Sequence, residues 1–207
     1  MAYLAPEDYA NYGLPAGTTG DWVTAATALI NSHCRRPDLN VIQYEERLRV
    51  VSGTQTVRLT YLPLAPLGLA TSALIQVEGR YGRPRRGELP EMPMMEAALA
   101  FQLPGQWTGV EPNAVDFAAD TGELTLPWNV MGLPYNEVKV TYTAGLAVIG
   151  DDVMSACAQI VRNAQAQPAL NVSRSKMDTL WMDYFSSSLL DETVRMLLKP
   201  YVTNRLG

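Results

Sequence analysis

Polar and apolar positions alternate most cleanly around residue 140, where Val138, Val140 and Tyr142 share one face and Lys139, Thr141 and Thr143 the other. This period of two predicts a strand over 137–143. Gly145 then gives the backbone freedom for a corner, and Asp151 or Asp152 caps the next helix by accepting its free N–H groups. Over 151–166, Val153, Met154, Cys157, Ile160, Val161 and Ala164 form one helical face. A helix is also predicted over 19–34. Thr18, Thr19 or Asp21 can cap it, Trp22, Val23, Ala26, Leu29, Ile30 and His33 recur at helical spacing, and Pro37 stops it after Arg35 and Arg36. A last helix over 188–199 has Ser188 and Asp191 as capping signals and Leu190, Val194, Leu197, Leu198 and Tyr201 as its stripe. Asp191 can pair with Arg195 one turn on, and Pro200 ends the helix.

Residues 41–50 and 56–62 read as strands of a β-hairpin turning at Ser52, Gly53 and Thr54. Pro63 and Pro66 hold the chain extended ahead of a strand at 72–78 that carries Leu74, Ile75 and Val77. Between that strand and the one at 137–143, Pro84, Pro90, Pro93, Pro104, Pro112, Pro127 and Pro134 exclude a long helix. The same stretch alternates at Leu99, Phe101 and Leu103, at Val115 and Phe117, and at Leu124 and Leu126 after a turn at Thr121 and Gly122, so it reads as β-rich. Residues 170–187 read as a strand or an arm. The expected fold class is α+β: a small helical bundle packed on a β-hairpin or antiparallel sheet, with residues 1–78 and 114–207 as the core and 79–113 as a β-rich, proline-containing insertion.

A chain of 207 residues, 47% hydrophobic and 18% charged, suits one core with at most a small satellite. No apolar run reaches the roughly 18–20 residues of a membrane helix, and the first residues lack the pattern of a secretory signal. A net charge of −5 argues against a protein built as a whole to neutralise nucleic-acid phosphates. Cys34 and Cys157, on predicted helices, read as buried reduced thiols, with a disulfide between them as the alternative.

Catalytic constellations are not visible. His33 is the sole histidine, there is no nucleophile elbow, and no cluster has metal-ligand spacing. The glycines from Gly13 to Gly20 lack the lysine of a phosphate loop. Glu45 and Glu46 point to opposite sides of a strand, and Asp151 and Asp152 are explained by capping. Neither an enzymatic activity nor a cofactor is therefore expected. Arg80, Arg83, Arg85 and Arg86 reverse the acidic balance locally and read either as a contact for an acidic partner surface or DNA phosphates, or as a solvated loop. Met92, Met94 and Met95 suit core filling or an adaptable surface.

Taken in order, these elements resemble the head-tail connector family of tailed bacteriophages, the adaptors below the portal. The resemblance is carried by Tyr142, Thr143, Ala144 and Gly145 before the Asp151-Asp152 helix; by Leu62, Pro63, Leu64, Ala65, Pro66 and Leu67 before a strand; by the Gly122 to Pro127 strand; and by Leu197 to Tyr201. It covers most of the chain outside 79–113, where the proline-rich stretch is larger than a minimal connector needs. The resemblance implies a virion protein made in the host cytoplasm, a ring of usually twelve copies, and no membrane. Its implied partners are the portal protein, a tail stopper or a tail tube or nozzle protein, and double-stranded DNA passing through the lumen without sequence-specific binding. It also implies portal docking through the C-terminal segment, here Lys199, Pro200, Tyr201, Asn204 and Arg205. The alternative expectation is a β-rich module binding a carbohydrate or receptor, with Trp107 and Trp128 as stacking platforms.

Overall fold

The structure, a computed structural model, describes residues 2–50, 54–68, 70, 72–82, 105–128, 134–166, 174–177, 180–183 and 189–203. Its architecture is α+β, with three α-helices and antiparallel sheets among those residues. The chain divides into two compact units: a helical one, Met1–Leu39 with Val148–Asn204, and a β-rich one that includes Asn40–Ala147.

The β unit is a sandwich of two sheets. One has the order β1 (Ile42–Arg49), β7 (Glu137–Ala144), β3 (Leu74–Arg80), β4 (Thr108–Val110); the other runs β2 (Thr56–Arg58), β6 (Glu123–Thr125), β5 (Asp116–Ala118). The predicted alternation in β7 holds: Val138, Val140 and Tyr142 are fully buried, facing Val57, Leu59, Leu124 and Leu126 in the core. Tyr142 stacks near Tyr44, which itself lies on Tyr61 at 4.0 Å between ring centroids, and its hydroxyl accepts the Tyr61 N–H at 3.2 Å. Thr143, on the opposite face, is equally buried because its hydroxyl donates to the Ala65 carbonyl at 2.6 Å, tying the proline segment to the strand. Leu74 and Val77 both face the core although three residues apart, because the β3–β7 register shifts between Leu74 and Gln76. That irregularity leaves Ile75 exposed, against the sequence pattern.

The expected β1–β2 hairpin does not form. All eight residues of β1 pair with β7, from Ile42 opposite Ala144 to Arg49 opposite Glu137, while β2 pairs with β6 in the other sheet. A short turn makes a hairpin easy to close, but β7 offers β1 a full-length partner bearing Tyr142, and that long-range pairing wins. Ser52 and Gly53 of the expected turn, Leu99 to Leu103 and Met92, Met94 and Met95 lie outside the described residues. The described parts of 79–113 belong to the β unit, where β4 pairs with β3.

In the helical unit, α1 (Gly20–Cys34), α2 (Asp151–Ala166) and α3 (Glu192–Leu198) accompany a two-stranded ladder of β8 (Arg174–Met177) and β9 (Leu180–Asp183). The buried face of α1 is Val23, Ala26, Thr27, Ile30 and Cys34, whereas Trp22, placed on the stripe by sequence, is 37% exposed. Arg35 ends α1 in a left-handed conformation, with its N–H on Ser32 and that of Arg36 on Asn31, closing the helix without glycine. Cys34 and Cys157 are free and buried, and burial pushes both thiols up to about 11. The last helix is shorter than 188–199. Asp191 caps it through the Val194 N–H at 2.8 Å, and its other oxygen accepts from Asn163 at 3.1 Å, so the carboxylate expected to pair with Arg195 is engaged elsewhere. These bonds hold Asp191 below the usual carboxylate range, the Val194 N–H contributing most.

Gly145 is the corner the sequence marks. Its φ of 143° is outside the range of most side chains, and a Cβ there would sit 2.2 Å from the Asn40 carbonyl oxygen. Gly145→Val is therefore expected to cost about 3 kcal/mol or more, read as a fall in the urea midpoint or as loss of soluble protein. An unchanged midpoint would contradict this account of the corner.

Candidate functional site

Two surfaces carry the charged and polar residues that sequence singled out, one in each unit. In the helical unit, Pro200 has no N–H with which to continue α3, and the chain tightens into a 3-10 turn over Lys199–Tyr201. Both sides of that turn are fastened. The Tyr201 hydroxyl donates to Asp152 at the start of α2, while the other oxygen of Asp152 accepts the Val153 N–H at 2.8 Å. Burial, followed by this bond to a carboxylate, pushes the Tyr201 phenol up to about 12. Thr203 is buried; its N–H and its hydroxyl each lie 3.1 Å from the Cys34 carbonyl, and the hydroxyl is 3.2 Å from that of Arg35. It thus satisfies carbonyls that the end of α1 leaves without helical donors.

Beside this root lies a recess of about 540 Å³ lined by His33, Glu192, Arg195, Met196, Lys199 and Val202. Met196 is 67% exposed at its rim, and Lys199 and Pro200 are exposed as well. Of the residues expected to dock a portal, Lys199 and Pro200 are therefore open, Tyr201 is committed to Asp152, and Asn204 and Arg205 lie outside the described residues.

In the β unit, the end of the first sheet gathers charge around one buried carboxylate. Strand register sets Arg49, Glu137 and Arg80 in one row across β1, β7 and β3, and Arg47, Lys139 and Glu78 in the next. Glu137, whose side chain is 6% exposed, receives Arg47 at 2.6 Å, Arg80 at 2.8 Å and Arg49 at 3.3 Å. Lys139 pairs with Glu78 at 2.5 Å. Trp107 covers the cluster with its ring, 4.3 Å from the Arg80 guanidinium and 5.7 Å from those of Arg47 and the Lys139 ammonium. Gly82 makes the approach possible, since a Cβ there would stand 2.6 Å from the Glu137 carboxyl carbon. Burial would raise the Glu137 pKa, but hydrogen bonds and charge from Arg80 and Arg47 outweigh it and hold the group below its ordinary 4.5.

The structure therefore places Arg80, read from sequence as part of a local basic run, against Glu137. Its companions Arg83, Arg85 and Arg86 lie outside the described residues. Trp107 has a cation over its ring, and Trp128 is 59% exposed. Sequence reasoning missed Arg47, Arg49 and Glu137. The available signal was the alternation in β1, which puts Glu45, Arg47 and Arg49 on one polar face. Among the described residues no group of three or more His, Cys, Asp or Glu side chains has the arrangement to hold a metal ion, and no helix is long and apolar enough to cross a membrane.

Because the native Glu137 pKa is depressed, the stability it contributes is complete above 4.5 and is lost as pH falls through the lower native value. Glu137→Gln is expected to remove about 1–3 kcal/mol at neutral pH, as the arginines lose a charged acceptor. Urea midpoints of the variant and the wild type should converge as the buffer becomes more acidic than 4.5. A constant gap across that window would exclude ionised Glu137 as the cause. No protein-family model matches the chain, and no curated protein matches it.

Proposed function

We propose that this protein is a structural subunit of a phage head-to-tail connector, an adaptor that docks below a portal in a ring, extends the DNA channel and presents a platform for the tail. The observation that carries the reading is the fastened root of the C-terminal segment. Tyr201 and Thr203 fix the chain to α2 and to the end of α1, so that whatever follows starts from a defined point next to an open recess with Met196 and Lys199 at its edge. A docking segment needs such a root: ordering the chain up to the contact in advance lowers the entropy lost on binding. The order of motifs from Leu62 to Tyr201 supports the same role. The carbohydrate-binding alternative is less well supported at Trp107, whose ring lies against Arg80, while Trp128 is 59% exposed.

In this role the protein contributes no chemistry. The ring contacts join unlike faces of successive copies, twelve by the resemblance, and DNA passes without sequence-specific contact. The same resemblance places a tail stopper, tube or nozzle protein on the side away from the portal.

The root also dictates how to test the docking. Removing everything from Lys199 onward would take away Tyr201 and Thr203, and with them bonds that hold α1 and α2. A chain ending at Thr203 is expected to keep its circular dichroism and melting temperature yet fail to bind the portal ring in mass photometry and electron microscopy. Thr203→Val, by contrast, should lower stability by about 1–2 kcal/mol and leave portal binding in place. Undiminished binding by the shortened chain would move the docking segment elsewhere, and a full chain that forms no ring with the portal would remove the adaptor reading itself.

A further inference from the structure

Among the described residues, the outward sides of the two sheets of the β unit carry net charges of opposite sign. On the first, Arg47, Arg49, Arg80 and Lys139 outnumber Glu45, Glu78 and Glu137 by one charge among the described residues, and the excess is concentrated around Glu137, which Arg47, Arg49 and Arg80 all approach. Arg47 reaches solvent with 57% of its side chain exposed, and beside it a recess of about 260 Å³ opens between Arg47, Leu48, Arg49 and Glu137. A carboxylate entering there would meet guanidiniums already oriented by Glu137 and Trp107, so little side-chain freedom would remain to be lost.

The second sheet presents the complement. Val57, Leu124 and Phe117 point inward, so Asp116 and Glu123 lie on the outward face, with Asp120 in the turn between β5 and β6; all three are exposed. Arg58, opposite Glu123, is the one base among the described residues of that sheet. Like faces of two copies would repel each other, whereas unlike faces attract. This pattern selects a head-to-tail contact over a two-fold one.

We propose that the Arg47–Arg80 face of one copy receives the acidic outward face of the β2–β6–β5 sheet of a second copy, with carboxylates of Asp116 and Asp120 entering beside Arg47. The need for repeated copies rests on the adaptor reading, while the charge pattern stands apart from it. Such a contact is heterologous and repeats in one direction, as a ring requires.

Sedimentation velocity at low and high ionic strength, with and without the portal, tests it. Wild-type chain should self-associate at low salt and dissociate as salt screens the contact. Arg47→Glu alone, or Asp116→Lys with Asp120→Lys, should each weaken association roughly tenfold, and a mixture of the two variants should regain it at their compatible faces. The acidic-side variants alter only exposed positions, so they remain informative if Arg47→Glu fails to fold. Absence of wild-type self-association, or association indifferent to the reversals, overturns the proposal. So does loss of binding to a random-sequence DNA duplex by Arg47→Glu with self-association intact, which would make this face a nucleic-acid surface. Rings that still form on the portal when the reversals are silent would leave the adaptor reading standing without this contact. Charge-dependent association without any portal ring would do the reverse.

Discussion

The β unit depends on keeping one strand satisfied on both edges and both faces. Glu137–Ala144 is hydrogen-bonded to β1 on one side and β3 on the other, and seven of its eight residues are buried. A strand so enclosed leaves no backbone group for water to rescue, so every neighbour is held to a fixed register. Tyr142 sets the spacing of the core through Tyr44 and Tyr61, and Thr143 draws the proline segment over the opposite face. The two ends of the strand face different demands. At one end Gly145 lets the chain pass close to Asn40; at the other a carboxylate has to be buried, and it is neutralised by arginines arriving from both flanking strands.

Those two ends also differ in how far sequence reveals them. The Gly145 corner, the face of Val138, Val140 and Tyr142, the turn at Gly122 and the apolar side of α2 follow from local periodicity and backbone sterics, which act over a few residues. The cluster at Glu137 does not. Arg80 and Arg47 lie 57 and 90 positions from it in the chain, and only the ladder brings them together. A basic run invites a local reading, yet Arg80 is assigned by its row in the sheet. The failed β1–β2 hairpin has the same origin: turn chemistry is visible in sequence, whereas the competing attraction of a distant eight-residue strand is not. At the C-terminus, Pro200 announces the end of α3, but nothing local to Thr203 announces that it completes α1.

The polar clusters divide the work between stability and contact. Asp152 joins two elements, taking the Val153 N–H within α2 and the Tyr201 hydroxyl of the 3-10 turn while standing at the start of α2, where the helix dipole favours its charge. Glu137 serves three strands in a comparable way, but with more cationic charge around it than it can cancel. One carboxylate is consumed by its surroundings and the other leaves a positive field over the sheet end.

Thr203 has a mechanical consequence. It bonds to the last carbonyls of α1, a helix almost the whole chain away, and not to its own neighbour α3. Tension applied to the chain beyond it would enter the helical unit at the carbonyl end of α1. The 3-10 turn before it stays bonded to α2 through Tyr201, so a pull would be shared among α1, α2 and α3 and would not peel α3 away first.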